Sequence, residues 1–424
     1  MKIREMMTLA AFAAASAAFG AAIPTITSVT ATQPNGVGKV TVNYVLEGDD
    51  AIVLAEAFAN GDALDASRFS ALSGAVNCKV TKGANSFTWK PSRDLPGEKL
   101  ADFKVKLTAW PLSNPPDWMV ADLTTGDVRY YASTNDFPDG GLANDAYRTT
   151  RLVMRHIPAA NVTWTMGTSV GEMGQNDNRG KAHEVTLTKD YWLGIYEVTQ
   201  KQYDYFSGVA RHAVWRSAAD ADMRPTENIS FKQLRCPKNG NCRWPQQMHD
   251  VEEGSPIDNL RKVTGIAFDL PTEAQWEFAC RAGTWTSLNS GKWLETNDVN
   301  VASANMDEVG WYSLNSKISG TAQTHPVGLK RPNAFGLYDM HGNVLELCLD
   351  RYNADRFFAS NPQIDPIGDN NTTDGNCAAR GGSSGFAAQK AASGNRDNYC
   401  GWSWPSADGT SGQDRGFRLW APID

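Results

Sequence analysis

The chain has 424 residues, of which 41% are hydrophobic and 21% are charged, so it can bury one large core or two moderate ones. Its formal net charge of −7 and the lack of a basic run argue against a general nucleic-acid-binding protein, which needs clustered Lys and Arg to neutralise phosphates. The 14 tryptophans and 37 glycines indicate a loop-rich fold packed on aromatic side chains rather than a helical array.

Residues 1–22 have the pattern of a secretory signal peptide. Lys2 and Arg4 precede an apolar, alanine-rich run over residues 9–19, and small residues follow as far as Ala22. The run is too short to span a bilayer, and no later stretch approaches the ~20 consecutive apolar residues of a membrane helix. We therefore expect a protein without a membrane span that is secreted, periplasmic or held at the cell surface.

The chain contains seven cysteines, and disulfides are expected in an exported protein. The odd number leaves at least one thiol unpaired or joined to another molecule. Cys236 and Cys242 bracket a turn-rich pentapeptide that a disulfide could close, whereas the sequence does not fix the remaining connectivity. Because no CxxC, HxH or HExxH spacing occurs, a zinc site is not indicated.

Residues 24–133 are predicted to form an all-β domain. Short runs rich in β-branched or alternating apolar residues are separated by Gly, Asp, Asn and Pro turns. The predicted strands are 25–32, 39–46, 51–58, 75–82, 86–89 and 103–110. This spacing is typical of a β-sandwich of the immunoglobulin or fibronectin type. With no catalytic constellation, the domain is either an adhesion or carbohydrate-binding module or a spacer, and the polar residues 134–148 are predicted to form a linker.

The second predicted domain, residues 149–424, repeats one helix-start signal. Thr199, Ser230 and Thr272 are each followed three residues later by Gln, which is the pattern of a capping box and predicts three short helices. The predicted strands around them are 162–166, 184–188, 191–198 and 417–420. Short helices, limited strands and long irregular segments together indicate an α+β, loop-rich domain.

The stretch from Asn333 to Tyr352 combines turn glycines with two acids, Asp339 and Glu346, on either side of Gly342. Calcium takes about six to eight oxygens from carboxylates, backbone carbonyls and water, so these acids and the carbonyls of a glycine turn could form part of a calcium site. The structural alternative is that Asp339 caps a turn and Glu346 pairs with an arginine.

This stretch resembles the core motif of the sulfatase-modifying-factor family, whose founding activity is that of the formylglycine-generating enzyme. Four further motifs occur in the family's order: Tyr196-Glu197-Val198-Thr199, Pro271-Thr272-Glu273-Ala274-Gln275-Trp276-Glu277, Arg380-Gly381-Gly382-Ser383 and Gly416-Phe417-Arg418. The resemblance implies a modified C-type-lectin-like fold for residues 149–424. It also implies a calcium site formed by the side chains of Asp339 and Glu346 and the carbonyls of Gly342 and Val344. The family's other calcium site would correspond loosely to residues 304–325, where this sequence departs too far for ligands to be named.

The same resemblance locates the family's oxidase chemistry. The active enzymes convert a sulfatase cysteine to formylglycine with oxygen and a copper ion held by two cysteines, which follow the Gly-Gly-Ser motif by three and eight residues. Here those positions are Phe386 and Ala391, and residues 384–392 contain no cysteine. Soft thiolates select Cu(I), and neither side chain can replace them. We therefore expect no copper at these positions and assign no catalytic residue.

Two other cysteine arrangements could in principle form an oxidative or nucleophilic centre. Cys377 and Cys400 flank the altered region and could form a relocated copper pair, although a structural disulfide between them is the simpler expectation. Cys348 with His341 could be imagined as a nucleophile and its base. Cys348 lies in an apolar run, however, where packing or a disulfide with Cys280 is favoured.

Aromatic side chains mark a candidate ligand surface near the C-terminus. Tyr399, Trp402 and Trp404, together with Arg396, lie in the loop where the family's peptide groove would be. Trp and Tyr suit stacking on sugar rings or peptide side chains, and filling of the core is the alternative. Arg380 and Arg418, in contrast, are predicted to clamp acidic loops through bidentate ion pairs.

The combined prediction is an exported two-domain protein, in which a β-sandwich precedes a sulfatase-modifying-factor-like domain without the copper cysteines. Its predicted role is to bind a glycan, peptide or protein outside the cytoplasm, with calcium as a stabilising ion. The alternative is an oxidase that converts a sulfatase cysteine to formylglycine.

Overall fold

The computed structural model of the chain describes residues 22–32, 38–59, 61–98, 102–168, 181–209, 213–236, 251–352, 362–368, 377–400 and 414–423, with 398–400 as backbone only. The chain divides into two compact units. The first comprises the described residues up to Ala63 together with Ala71–Leu112, and the second comprises Leu64–Ser70 and the described residues from Ser113 onward. Within the described ranges, no helix is long and apolar enough to cross a membrane.

The first unit is built from two antiparallel sheets, as its alternating sequence predicts. Its elements are β1 (Thr25–Thr32), β2 (Val40–Glu47), β3 (Ala51–Ala59), β4 (Asp62–Ala63), β5 (Leu72–Gly74), β6 (Cys78–Val80), β7 (Gly83–Trp89), α1 (Pro91–Asp94) and β8 (Lys104–Pro111). One sheet has the order β1-β2-β7-β5, and the other has the order β4-β3-β6 with β8 also paired to β3. In β2, every second side chain is buried, which is the period of a strand with one face on the core. The immunoglobulin or fibronectin type of this unit stays a prediction.

The second unit combines short strands and helices with long irregular segments. Its strands are β9 (Trp118–Asp122), β10 (Val128–Tyr131), β11 (Arg151–Ile157), β12 (Val162–Met166), β13 (His183–Leu187), β14 (Tyr191–Gly194), β15 (Gly310–Trp311), β16 (Lys317–Ile318), β17 (Thr321–Ala322), β18 (His341–Gly342), β19 (Leu345–Arg351), β20 (Gln363–Ile364), β21 (Cys377–Arg380), β22 (Asp397–Cys400), β23 (Arg415–Gly416) and β24 (Trp420–Pro422). Its α-helices are α2 (Ala146–Thr149), α3 (Gln200–Ser207), α4 (Phe231–Arg235), α5 (Pro256–Thr264), α6 (Glu273–Arg281) and α7 (Ala304–Val309).

The division between the units falls at residue 112 and not at the predicted boundary at 133. The reason is strand pairing: β9 and β10 belong to a sheet with the order β10-β9-β11-β14-β24, so residues 118–131 are part of the second unit. The predicted linker 134–148 contains short helical turns, and Phe137 and Tyr147 within it are buried in the core of this unit. The aromatic residues of the segment therefore fix it to the sheet.

The three predicted capping boxes are confirmed at α3, α4 and α6. Thr199, Ser230 and Thr272 each accept a hydrogen bond from the third helical residue, and the Gln side chain at that residue accepts from the backbone N–H of the cap. The closing strand, in contrast, begins three residues later than predicted. The carbonyls of Phe417 and Leu419 accept single bonds outside a regular ladder, and β24 starts at Trp420.

Three of the sequence motifs meet in one small sheet with the order β22-β21-β19-β23. Glu346 of β19 lies opposite Arg380 of β21 on one side and Gly416 of β23 on the other. Helix α6 packs close by, because its Trp276 belongs to the same buried cluster as Met340 and Cys348. Segments that are far apart in sequence thus form a single buried region.

Candidate functional site

A fully buried ion pair lies at the centre of the motif region. Arg418 donates from Nε to Glu346 Oε2 at 2.7 Å and from Nη2 to Glu346 Oε1 at 2.6 Å. Trp276 Nε1 also donates to Glu346 Oε2 at 2.6 Å. The remaining guanidinium contacts of Arg418 go to the carbonyls of Gly194 and Tyr338. The prediction that Arg418 clamps an acidic loop is confirmed, and Glu346 follows the structural alternative of pairing with an arginine.

Two further buried carboxyl groups face this ion pair. Asp339, at a positive φ of 54°, accepts from the Gly328 N–H at 2.6 Å through Oδ2, whereas its buried Oδ1 has no hydrogen-bond partner among the described residues. Burial raises the pKa of Asp339 to about 6. Glu197 accepts from Asn343 Nδ2 at 2.6 Å, and burial followed by the charges of Asp339 and Glu346 raises its pKa well above the ordinary value.

Whether calcium fits the predicted loop depends on the acid cluster, which consists of Glu197, Asp339 and Glu346. Three buried carboxyl groups face one buried arginine, so the region can accommodate further positive charge. Asp339 Oδ1 fits a cation because it is a buried acceptor without a donor in the described part of the chain. Glu346 fits less well because Arg418 and Trp276 engage both of its oxygens.

Metal ligands in this loop would have to include backbone carbonyls. In the described part of the chain, no group of three or more His, Cys, Asp or Glu side chains is placed to hold a metal ion. The turn at Gly342 and Asn343 has φ values of 86° and 62°, so the chain reverses here in the left-handed region. A side chain at position 342 would collide with the Trp311 carbonyl, which explains the glycine.

Arginines and the acids of α6 form a second buried network, which includes one of the predicted ligand residues. Arg380 contacts Glu273 at 3.3 Å and also pairs with Glu277. Arg396, predicted to contact a ligand, is 2% exposed and donates to both oxygens of Glu273 at 2.6 and 2.8 Å. Its guanidinium therefore holds α6 in the interior and does not face a ligand surface. The side chain of Tyr399 and all of Trp402 and Trp404 lie outside the described residues.

The two positions that correspond to the family's copper cysteines offer no sulfur. Ala391 is buried in an apolar cluster with Ala388, Leu288 and Leu294. Phe386 follows the Arg380–Ser383 turn, and its carbonyl accepts from the Ser313 N–H at 2.9 Å. These side chains cannot act as thiolate ligands, so this part of the site does not fit copper.

The possible dyad of Cys348 and His341 is not formed. His341 Nε2 accepts from the Asn289 N–H at 3.0 Å, which leaves Nδ1 to donate to the Ala391 carbonyl at 2.6 Å. Burial lowers the pKa of His341 to about 4, so the ring is neutral at pH 7. Of the two alternatives predicted for Cys348, packing is the one observed: Cys280 and Cys348 are both buried free thiols in the core, and no disulfide joins them. The Cys280 sulfur is 3.9 Å from the Met340 carbonyl, and the Cys348 sulfur is 3.8 Å from the Glu346 carbonyl.

Of two other predicted disulfides, the one between Cys377 and Cys400 is not formed in this structure, whereas the one between Cys236 and Cys242 stays a prediction. Cys377 of β21 lies directly opposite Cys400 of β22 in the antiparallel register. Directly opposite residues in such a ladder have Cα atoms about 4.5–5.5 Å apart, a separation that a disulfide can bridge. Cys236 is buried at the end of α4, and its predicted partner Cys242 lies outside the described residues.

No role was predicted from the sequence for two acids that are buried in this region. Glu197 belongs to the Tyr196–Thr199 motif, yet only the fold reveals that it contacts Asn343, which is 146 residues away. Glu227 is fully buried, accepts from the Trp215 N–H at 3.0 Å, and has its pKa raised to about 7 by burial. A single carboxyl group in the otherwise uncharged stretch Thr226–Phe231 is the only signal that the sequence offers for it.

Most of the second unit matches a known protein family. Residues 154–422 match the family model described as the sulfatase-modifying factor enzyme 1-like domain. The chain is 31% identical over 250 residues to the formylglycine-generating enzyme of Streptomyces coelicolor, an alignment that covers 52% of this chain and 75% of that enzyme. It is 30% identical over 191 residues to the chaperone protein LppX of Paenibacillus barcinonensis, covering 39% of this chain and 63% of LppX. The chain thus spans slightly less than two thirds of the length of LppX.

Among solved structures, PvdO from Pseudomonas aeruginosa aligns with a TM-score of 0.47 at 25% sequence identity, covering 64% of this chain and 94% of PvdO.

Proposed function

This chain belongs to the sulfatase-modifying factor enzyme 1-like family, and from that premise we propose that it is an exported, calcium-stabilised binding module for a glycan, peptide or protein. In this proposal it has lost the family's copper-dependent oxidation of a sulfatase cysteine. The observation that carries the proposal is the pair of side chains after the Arg380–Ser383 turn, Phe386 and Ala391. Neither offers a sulfur, and Ala391 is part of an apolar cluster.

The calcium ion of the proposal would be held by the side chains of Asp339 and Glu346 and by the carbonyls of Gly342 and Val344. Bound there, it would supply positive charge to a buried region in which carboxyl groups outnumber arginines. Asp339 supports the proposal most directly because its buried Oδ1 has no donor within the described residues. Arg418 would keep Glu346 oriented through its two hydrogen bonds.

The alternative function is that of a formylglycine-generating oxidase, and it would depend on Cys377 and Cys400. They lie opposite each other on neighbouring strands and flank the altered positions, so they could supply two thiolates. Cys377 is buried and lies on β21, the strand that leads into the Arg380–Ser383 turn. A disulfide across β21 and β22 would make the same pair structural and support the binding-module proposal.

The test combines metal analysis with an oxidation assay on the full chain. Bound metals are measured by mass spectrometry, Cu(I) is titrated in, and a Cys-x-Pro-x-Arg peptide is incubated with the protein and oxygen. We expect bound calcium, no tight copper and no aldehyde product. Stoichiometric copper with aldehyde formation would contradict the proposal, and the variants Cys377→Ala and Cys400→Ala would then show whether this pair holds the metal.

A further inference from the structure

Two tryptophans form an exposed aromatic pair on a loop of the second unit. Trp285 is 74% exposed and Trp293 is 38% exposed. Their ring centroids are 5.0 Å apart and the ring planes are inclined at 80°. Tryptophan is a large, mostly buried residue type in folded proteins, so a side chain that exposes three quarters of its surface needs an explanation.

The loop that carries the pair is fixed at both tryptophans. Arg281 Nη1 donates to the carbonyl of Thr286 at 3.2 Å, next to Trp285. Asn305 Nδ2 donates to the carbonyl of Trp293 itself at 2.9 Å. Leu288, which lies between the two tryptophans in the sequence, and Leu294, which follows Trp293, are both buried. Because the backbone is anchored in this way, the two rings are held in solvent and form a preorganised contact surface with little conformational entropy to lose on binding.

The size of the surface favours a small ligand over a protein partner. At about 250 Å² per tryptophan side chain, the two rings leave roughly 280 Å² in contact with solvent. A stable protein interface buries about 800 Å² on each partner, so a ligand of one or a few ring units matches this surface better.

The charges near the pair favour a neutral ligand. Lys292, adjacent to Trp293, forms an exposed ion pair with Glu308, so the local charge is balanced. The chain as a whole carries a net charge of −7, which disfavours nucleotides and other anions. The ammonium, carboxylate and amide groups of Lys292, Glu308 and Asn305 offer both donors and acceptors to hydroxyl groups.

We propose that Trp285 and Trp293 form a carbohydrate-binding subsite that stacks neutral pyranose rings. The C–H face of such a ring lies flat on an indole face, and its equatorial hydroxyls reach the polar groups around it. The inference rests on the proposed binding function and deepens it, since it names a ligand class and a place on the molecule. It does not involve the acid cluster around Asp339.

The test is native affinity electrophoresis of the full chain in gels that contain hydroxyethyl cellulose, laminarin, galactomannan or xylan. We expect at least one of these polysaccharides to retard the wild type, and Trp285→Ala to weaken that retardation by about tenfold or more. Trp293→Ala should weaken it too, and Trp285→Phe should preserve most of it because an aromatic face remains. Leu329→Ala, which removes another exposed apolar side chain, is the matched control and should bind as the wild type does.

Two results would overturn the inference. One is that none of the four polysaccharides retards the wild type. The other is that Trp285→Ala and Trp293→Ala are retarded as strongly as the wild type, which would leave the binding-module proposal intact and move the site elsewhere. The copper titration and the aldehyde assay test the binding-module proposal independently of the polysaccharide gels.

Discussion

Arg418 is the counter-charge of Glu346 in the acid cluster, and this residue was partly predictable. Its place in the Gly416-Phe417-Arg418 motif predicted an ion pair with an acidic loop, and the structure identifies the acid as Glu346. The partner could not be read from the sequence because the two residues are 72 positions apart and meet only when β19 pairs with β23. The prediction of a ligand role for Arg396 failed for the same reason, since its partner Glu273 is 123 positions away.

Arg418→Met should destabilise the second unit by about 3–5 kcal/mol, because it leaves Glu346 buried without its counter-charge. Urea denaturation followed by tryptophan fluorescence measures the change. Arg331→Met is the control: Arg331 is 66% exposed and 3.9 Å from Glu308, so its loss should cost less than about 1 kcal/mol. Equal losses from the two substitutions would show that the buried pair contributes no more than a surface pair.

His341 should make the stability fall on acidification. Its pKa is about 4 in the folded protein against an ordinary value of 6.5, so the unfolded chain binds the proton more readily. The stabilising contribution is complete above pH 6.5 and is lost as the pH falls towards 4. The difference in unfolding free energy between the wild type and His341→Gln should therefore shrink by about 2 kcal/mol between pH 7 and pH 4.5.

The comparison with His341→Gln isolates this histidine from the buried carboxyl groups, whose raised pKa values act in the opposite direction. Guanidinium chloride denaturation at both pH values gives the two differences. A difference that stays constant with pH would mean that folding does not lower the pKa of His341, so that the ring is protonated at pH 4.5 in the folded protein as well. Because a protonated Nε2 would then face the Asn289 N–H, the hydrogen bond between these two groups would have to break.

Among the elements, the helix starts were predictable because a capping box involves only four consecutive residues. The limits of β24 and of the first unit were not, because they depend on pairing partners far along the chain. Residues 118–131 could pair as strands in either unit, and only the pairing of β9 with β11 assigns them to the second. Local signals fixed where elements begin, and long-range pairing decided to which sheet they belong.

Thr272→Ala tests the capping box that starts α6. The Thr272 hydroxyl accepts from the Gln275 N–H at 3.2 Å, and the substitution leaves this donor without its cap. We expect a loss of about 1 kcal/mol in the unfolding free energy, measured by urea denaturation. Thr272→Ser retains the hydroxyl and should recover most of the loss. If the serine variant were as unstable as the alanine variant, packing of the methyl group and not the cap would explain the effect.

The five motifs identified from the sequence are brought together by the fold of the second unit. The Glu197 motif, α6, the Asp339–Glu346 loop, β21 and the segment at Arg418 are joined by direct hydrogen bonds. Their order along the chain supported the family resemblance, whereas their contacts required the structure. The acid cluster at their centre has more acidic than basic groups, so the stability of this unit should depend on cations and on pH.

Calcium removal should therefore destabilise the second unit. With free calcium at about 100 times its dissociation constant, removing it with EGTA should cost about 2.7 kcal/mol and lower the melting temperature accordingly. Asp339→Asn should abolish most of this calcium dependence, because it removes the negative charge of the proposed ligand whose Oδ1 lacks a donor in the described structure. Glu253→Gln, at a side chain that is 91% exposed, should leave the calcium dependence unchanged.

The pH dependence of Asp339 gives the calcium prediction a second, independent readout. Without calcium, the pKa of Asp339 is about 6 against an ordinary value of 3.8, so its protonated form stabilises the fold at low pH and this contribution is lost as the pH rises through 6. In EGTA, the wild type should thus lose about 3 kcal/mol relative to Asp339→Asn between pH 3.8 and pH 7.5. Calcium should cancel that loss at pH 7.5, because the cation replaces the proton as the positive charge beside the carboxylate. If calcium raises the melting temperature of Asp339→Asn as much as that of the wild type, the ion binds elsewhere and the contacts of Arg418, Trp276 and Glu197 hold the loop without it.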